Sequence, residues 1–177
     1  MSIEIPLTQG KVALVDDADA PALLAYKWCT FYRKKEDLFY AGRCISRFTS
    51  QTGKTQTILM HRFLCSLELY DRRQVDHVDG NGLNNTRINL RVCTKTQNNQ
   101  NRRKRKDATS RFKGVFLAYG RWRAEMQANG LRLHLGTFST EEDAALAYDR
   151  AALIHFGEFA LTNAMLFPEL LEKAVSS

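Results

Sequence analysis

The run Val75-Asp76-His77-Val78-Asp79-Gly80-Asn81-Gly82, followed by Asn84-Asn85, Asn89-Leu90-Arg91 and Gln97-Asn98, restricts its part of the chain to a tight hairpin leading into a helix. Residues 74–78 read as a short strand, 79–86 as a glycine- and asparagine-rich loop, and 89–93 as a second strand. Thr94 with Gln97 three positions on forms a capping box, so a helix opens there. Such a hairpin brings Asp76, at the end of its first strand, against Asn98 in the first helical turn. Side chains alternate along a strand, which turns His77 to the opposite side from Asp76. Asn84, Asn85, Asn99 and Asn101 read as turn formers, because asparagine tolerates turn and left-handed backbone. His61 reads as a satisfied, partly buried histidine.

That division of side chains suits phosphodiester hydrolysis. A hard divalent cation takes a carboxylate, a few neutral oxygens and water, and leaves positions open for phosphate oxygens. Asp76 and Asn98 are the candidate ligands. The attacking water must lose a proton near neutral pH, and histidine has the pKa for that task, which makes His77 the candidate base. A formal charge of +7 calls for a polyanionic partner, and double-stranded DNA is the simplest one. Cys29, Cys44, Cys65 and Cys93 are widely spaced with no Cys-x-x-Cys pair, so no structural zinc and no disulfide framework are expected. No charged-then-apolar leader and no long apolar run stand in the sequence, so a soluble, cytoplasmic protein without a membrane partner is expected.

The expected fold class is α+β in two blocks. Residues 1–100 alternate strand-like runs at 11–15, 39–45 and 57–59 with helical stretches near 20–25 and 61–69. Residues 101–109 hold five consecutive cations, Arg102-Arg103-Lys104-Arg105-Lys106, a basic linker suited to tracking phosphates. Residues 110–163 read as three short antiparallel strands packed on one helix, with a tight turn at Asn129-Gly130 and a helix start at 139–142. Phe156, Phe159 and Leu161 are expected to close that core, and residues 164–177 form a tail without an assigned role. Alternation places Arg121, Arg123, Glu125 and Gln127, with Arg132 and His134, on an open sheet face suited to a major groove. Lys113 beside it, and Arg87 and Arg91 near the hairpin, are further candidate DNA contacts.

The Asp76-His77, Asn89 and Asn98 arrangement resembles the HNH nucleases, in the phage and intron-encoded homing-endonuclease branch. The opening residues 3–17, Tyr26-Lys27-Trp28 and Met60-His61-Arg62 share the likeness. The resemblance implies a ββα-metal hairpin (the His-Me finger) over about 74–101 and one Mg²⁺ or Mn²⁺ held through Asp76 and Asn98. It also implies His77 as the water-activating catalytic residue and Asn89 as the catalytic-site asparagine that braces the loop and orients the histidine. The second block resembles the APETALA2/ERF DNA-binding domain, through Lys113-Gly-Val115, Ala124-Glu-Met126, Leu135-Gly-Thr-Phe138 and Ala144–Ala152. Phe116 stands where that family carries an arginine and His134 where it carries a tryptophan, so the plant target sequence does not transfer. Together these imply a monomeric, site-specific DNA endonuclease from a phage or mobile element. The alternative is a catalytically inactive DNA-binding regulator built from the same two modules.

Overall fold

Ile3, Ile5, Ala13 and Val15 alternate with more exposed neighbours, and the two runs pair as an antiparallel ribbon, β1 (Ser2–Pro6) with β2 (Val12–Asp16). They open the first of two units, residues 1–98 and 99–177. The computed structural model describes residues 1–34, 36–46, 53–102 and 109–175. After β2 comes a short helix, α1 (Ala20–Leu24), started by Pro21 in its first turn. A three-stranded antiparallel sheet follows, with β4 (Leu38–Ile45) between β3 (Cys29–Arg33) and β5 (Gln56–Leu59). Helix α2 (Met60–Leu64) leads to the hairpin β6 (Gln74–His77) and β7 (Leu90–Cys93), and α3 (Lys95–Gln100) follows.

The core of this unit gathers Ile5, Val15, Leu23, Trp28, Met60 and Leu64, with Leu83 and Leu90 of the hairpin packed against it. Partial burial of those two leucines, each contributing less than the ~1.5–3 kcal/mol of a fully buried side chain, seats the hairpin on the unit. The loop is also stitched to β2: Leu14 donates to the Leu83 carbonyl at 2.9 Å and Asn85 donates to the Leu14 carbonyl at 2.7 Å. At Gly82 the loop passes so close to β4 that a Cβ would lie 2.5 Å from the Phe39 carbonyl oxygen and 2.7 Å from the Tyr40 ring. Only glycine permits that approach.

In the second unit β9 (Arg121–Ala128) lies between β8 (Val115–Ala118) and β10 (Leu131–Phe138), all antiparallel. The turn at Asn129 (φ 51°) and Gly130 (φ 80°) has both residues at positive φ, the hairpin geometry that Asn-Gly favours. Helix α4 (Glu141–Phe156) packs on one face of this sheet. Thr140 caps it by accepting from the Asp143 amide, and Glu141, Glu142 and Asp143 supply the acidic first turn. Its alanines Ala144, Ala145 and Ala152 are fully buried, which lets the helix lie close to the strands.

The segment from 164 on, which carries no role in sequence, is part of this core. Helices α5 (Asn163–Leu166) and α6 (Glu169–Val175) bring Phe167 edge-on to Phe112 at 5.2 Å, and Leu170 is 1% exposed. A buried polar knot holds them. Asn163 donates its amide to Asp149 Oδ1 at 2.6 Å, the Ala164 amide donates to Asp149 Oδ2 at 2.8 Å, and Lys113 donates its amide to Asn163 Oδ1 at 2.6 Å.

Candidate active site and sheet face

Register decides which side chains of the hairpin share a face. Gln74 opposes Cys93 and Asp76 opposes Arg91, while Val75 opposes Val92 and His77 opposes Leu90. Gln74, Asp76, Arg91 and Cys93 therefore lie on one side, and Val75, His77 and Leu90 on the other. Helix α3 closes over the first side. Its start is the expected capping box: the Thr94 amide donates to Gln97 Oε1 at 2.8 Å and the Gln97 amide donates to Thr94 Oγ1 at 3.3 Å.

On that side Asn98 Nδ2 donates to Gln74 Oε1 at 2.7 Å, so Asn98 stands beside the strand position two before Asp76. The Cys93 thiol has the backbone amides of both Asp76 and Asn98 as neighbours. Burial and the Asp76 charge push that thiol up to about 11, against the partial relief those amides give. Asp76 is 5% exposed, and its Oδ2 accepts from Arg91 Nε at 2.8 Å and Nη2 at 2.6 Å. Arg91, expected as a phosphate clamp, is thus engaged by the candidate ligand itself. Arg87 likewise grips Asp19 through Nε at 2.8 Å and Nη2 at 2.6 Å. Both pairings join residues distant in sequence or across strands; Arg91 is enclosed with 16% of its side chain exposed, whereas Arg87 keeps 64% of its side chain in solvent.

Among the described residues no three His, Cys, Asp or Glu side chains gather as a metal group. Besides the Cys93 thiol, which its raised pKa keeps protonated, the donors on this side are one carboxylate and the oxygens of carboxamides. That set fits a hard divalent cation that keeps most of its own water, and it does not suit a metal that needs several nitrogen or sulfur ligands.

His77 is expected to face solvent, but the structure encloses it: the residue is 5% exposed. Its Nε2 lies 3.4 Å from Asn85 Oδ1, its ring is edge-on to His61 at 5.0 Å, and Tyr40 stands 5.9 Å away. Asn85 Nδ2 donates to the Leu83 carbonyl at 3.2 Å, which turns Oδ1 toward the imidazole. With Nε2 as the donor to Asn85, the ring's lone pair would be on Nδ1. Burial lowers the His77 pKa below its ordinary value, with the Asn85 contact and the Asp79 and Asp76 charges pulling the other way. The ring is therefore neutral at neutral pH and able to accept a proton. His61 is buried as expected but not satisfied, since its Nδ1 has no partner among the described residues. Its pKa falls to about 3, through burial first and then through the nearby His77, Arg62 and Arg33.

Asn89 braces the loop. Its Nδ2 donates to Asp79 Oδ1 at 2.9 Å and to the Asn84 carbonyl at 2.8 Å, and its Oδ1 accepts from the Asp79 amide at 3.0 Å. The asparagine in hydrogen-bond contact with the histidine is Asn85, which sequence reading leaves among the turn formers. Its only local signal is the Asn84-Asn85 doublet, because the loop's attachment to β2 turns it inward.

On the second unit's sheet, Arg121, Arg123, Glu125 and Gln127 alternate with the helix-facing Trp122, Ala124 and Met126. Arg132 and His134 approach Glu125 at 3.5 and 3.9 Å. Arg102 is exposed. Arg103, Lys104, Arg105 and Lys106 lie outside the described residues. Lys113 departs from its expected place on the surface. Its Nζ donates to the Gln100 carbonyl, and burial lowers its pKa to about 8 against the opposing pull of Asp149. It is a brace of the unit's interior because the Gly114 turn folds its stem inward: a Cβ at Gly114 (φ 75°) would collide with the Tyr148 ring.

A sequence profile described as HNH endonuclease matches residues 60–100. An uncharacterized HNH endonuclease of Acanthamoeba polyphaga mimivirus is 33% identical over 164 residues, covering 90% of this chain and 78% of that protein. The chain belongs to the HNH endonuclease family. The stretch matched by the HNH profile takes in His61, Asp76, His77, Asn85, Asn89 and Asn98. Part of this HNH protein is also similar to plant proteins. An ethylene-responsive transcription factor of Arabidopsis thaliana is 36% identical over 95 residues, half of this chain and 58% of that protein. APETALA2-like protein 2 of Oryza sativa subsp. japonica is 50% identical over 58 residues, 31% of this chain and 13% of that protein. No described helix is long and apolar enough to cross a membrane.

Proposed function

We propose that this chain is a divalent-metal-dependent DNA endonuclease of the homing type. Residues 1–100 are its nuclease domain, with a ββα-metal hairpin over 74–101, and residues 110–163 are a DNA-binding domain of APETALA2/ERF kind joined through 101–109. Membership of the HNH family and the likeness to plant transcription factors support a nuclease that binds duplex DNA. The observation that carries the reading is the pair Asp76-His77 on opposite faces of β6, with Asn98 bonded to Gln74 on the Asp76 face and Asn85 Oδ1 lying 3.4 Å from His77 Nε2.

His77 accepts the proton of the attacking water at Nδ1, while Asn85 retains the Nε2 proton and fixes the ring plane. Asn89 keeps the loop closed around this arrangement through Asp79. Asp76 and Asn98 would hold Mg²⁺ or Mn²⁺, which when bound neutralises the scissile phosphate and stabilises the departing oxygen. Arg91 shares the Asp76 carboxylate and turns to a phosphate when DNA is bound. Arg87, Arg102 to Lys106, Arg121, Arg123, Glu125, Gln127, Arg132 and His134 hold the duplex. The enzyme works as a monomer.

The test is nicking of supercoiled plasmid. The wild type nicks with Mg²⁺ or Mn²⁺ and stops with EDTA, and His77→Ala slows nicking by about 10²- to 10⁴-fold while still retarding DNA in a gel. Cutting by His77→Ala at the wild-type rate would overturn the reading. The guanidinium on Asp76 favours a second reading, a regulator that uses the hairpin as a scaffold. Such a protein shifts DNA and yields no nicks at any divalent-ion concentration.

A further inference from the structure

The open sheet face is not uniformly polar. Cross-strand register sets Phe116 opposite Arg123 on β8 and β9, and Thr137 opposite Arg123 on β10. The three side chains form one row, with the guanidinium in the middle and hydrocarbon on both sides. Phe116 points away from the core that Val115 enters and belongs to neither hydrophobic cluster of the unit. Next to the row, Tyr119 tops the two-residue β8–β9 turn at φ 52° and is 97% exposed, with its ring 6.0 Å from the Arg123 guanidinium carbon. A tyrosine in left-handed backbone is uncommon and costs about 1 kcal/mol or more, so this tip is held by the turn geometry around it. Among the described residues Arg123 has no acidic partner, whereas Arg132 and His134 both face Glu125.

Building on the DNA-binding role given above, we propose that Phe116, Arg123 and Thr137 form a subsite for a guanine and the 5-methyl group of an adjoining thymine. The chemistry follows from what a major groove offers. A braced guanidinium matches the O6 and N7 acceptors of guanine in two parallel hydrogen bonds. The only apolar group on the groove floor is the thymine methyl, which a phenyl ring or a threonine methyl covers well. Cytosine presents an amino donor instead, and Phe116 gives that donor no acceptor. An arginine at position 116 would extend the cationic row; phenylalanine replaces charge with a surface that discriminates by methyl.

The experiment uses the full-length protein in EDTA with a pool of random DNA duplexes, followed by synthesis of the enriched duplex. Each thymine in turn is replaced by deoxyuridine, and each guanine by 7-deazaguanine. One deoxyuridine should weaken wild-type binding about fourfold, the size of one buried methyl. The 7-deazaguanine beside it should weaken binding by roughly 5- to 150-fold. In Phe116→Ala the same deoxyuridine should be silent. The wild-type arm stands alone if that variant does not fold. A selected sequence bound specifically but indifferent to every deoxyuridine overturns the subsite while leaving DNA binding intact; a pool with no enrichment overturns both.

Discussion

Asp76 and Arg91 meet at 2.6 Å with 6% and 16% of their side chains exposed, whereas Glu125 and Arg132 meet at 3.5 Å with 20% and 83% exposed. The first pair is shielded from water and held by strand register, so loss of one partner strands a charge in a poorly solvated place. The second is washed by solvent, where ion pairs contribute at most about 1 kcal/mol. Under the function proposed above, enclosure would fix atoms to the tolerance that bond cleavage requires, and openness would let the sheet face meet a long duplex. One chain thus carries an enclosed ion pair in its first unit and a solvent-washed one in its second.

The sharpest way to break this contrast is Arg91→Ala. Without divalent ion the variant should lose about 3 kcal/mol of stability, because Asp76 is left buried beside no guanidinium. Thermal melts with and without Mg²⁺ check this; if Asp76 binds the ion, added Mg²⁺ restores part of the loss. Asn85→Ala comes next. It frees the His77 ring and should slow single-turnover nicking by roughly 10- to 100-fold with binding unchanged. A full-speed variant would place the histidine's orientation elsewhere.

A pH effect of intermediate size comes from His61. Its folded pKa, about 3, lies below the ordinary 6.5. The unfolded chain takes up a proton that the folded one refuses, so the stabilisation is complete above about pH 6.5 and declines as pH falls toward 3. At pH 5 the loss is roughly 2 kcal/mol relative to pH 7. His61→Phe should remove that part of the slope in denaturant titrations and leave the smaller contribution of His77, which has the same sign. The smallest effect belongs to the open face. Arg132→Ala should change stability by at most about 1 kcal/mol and reduce the salt dependence of DNA binding by about one unit of slope.

Local chemistry made the elements of the hairpin legible. The Thr94–Gln97 box and the Asn129-Gly130 turn each depend on atoms within a few residues, and strand alternation correctly separated Asp76 from His77. Enclosure was not legible. The burial of His77 arises from β2 clasping the 79–86 loop and from Tyr40 and His61 on other elements, contacts set by the folded chain rather than by neighbours in sequence. The strand β3 was also missed, since it is not flanked by strong turn residues on both sides. Arg87 looked free because its partner Asp19 is 68 residues away. Lys113 looked like surface for the same reason, its partner being a carbonyl upstream.

The chain's two tryptophans fall one to each unit. Trp28 is 2% exposed, with its Nε1 donating to the Leu23 carbonyl, and Trp122 packs beside the α4 side of the other core. With excitation at the red edge of the absorption band, where tyrosine does not absorb, the tryptophan fluorescence of a Trp122→Phe protein therefore reports residues 1–98 alone, and that of Trp28→Phe reports residues 99–177 alone. Whether one half melts before the other is readable in the intact polypeptide, with no dye and no dissection.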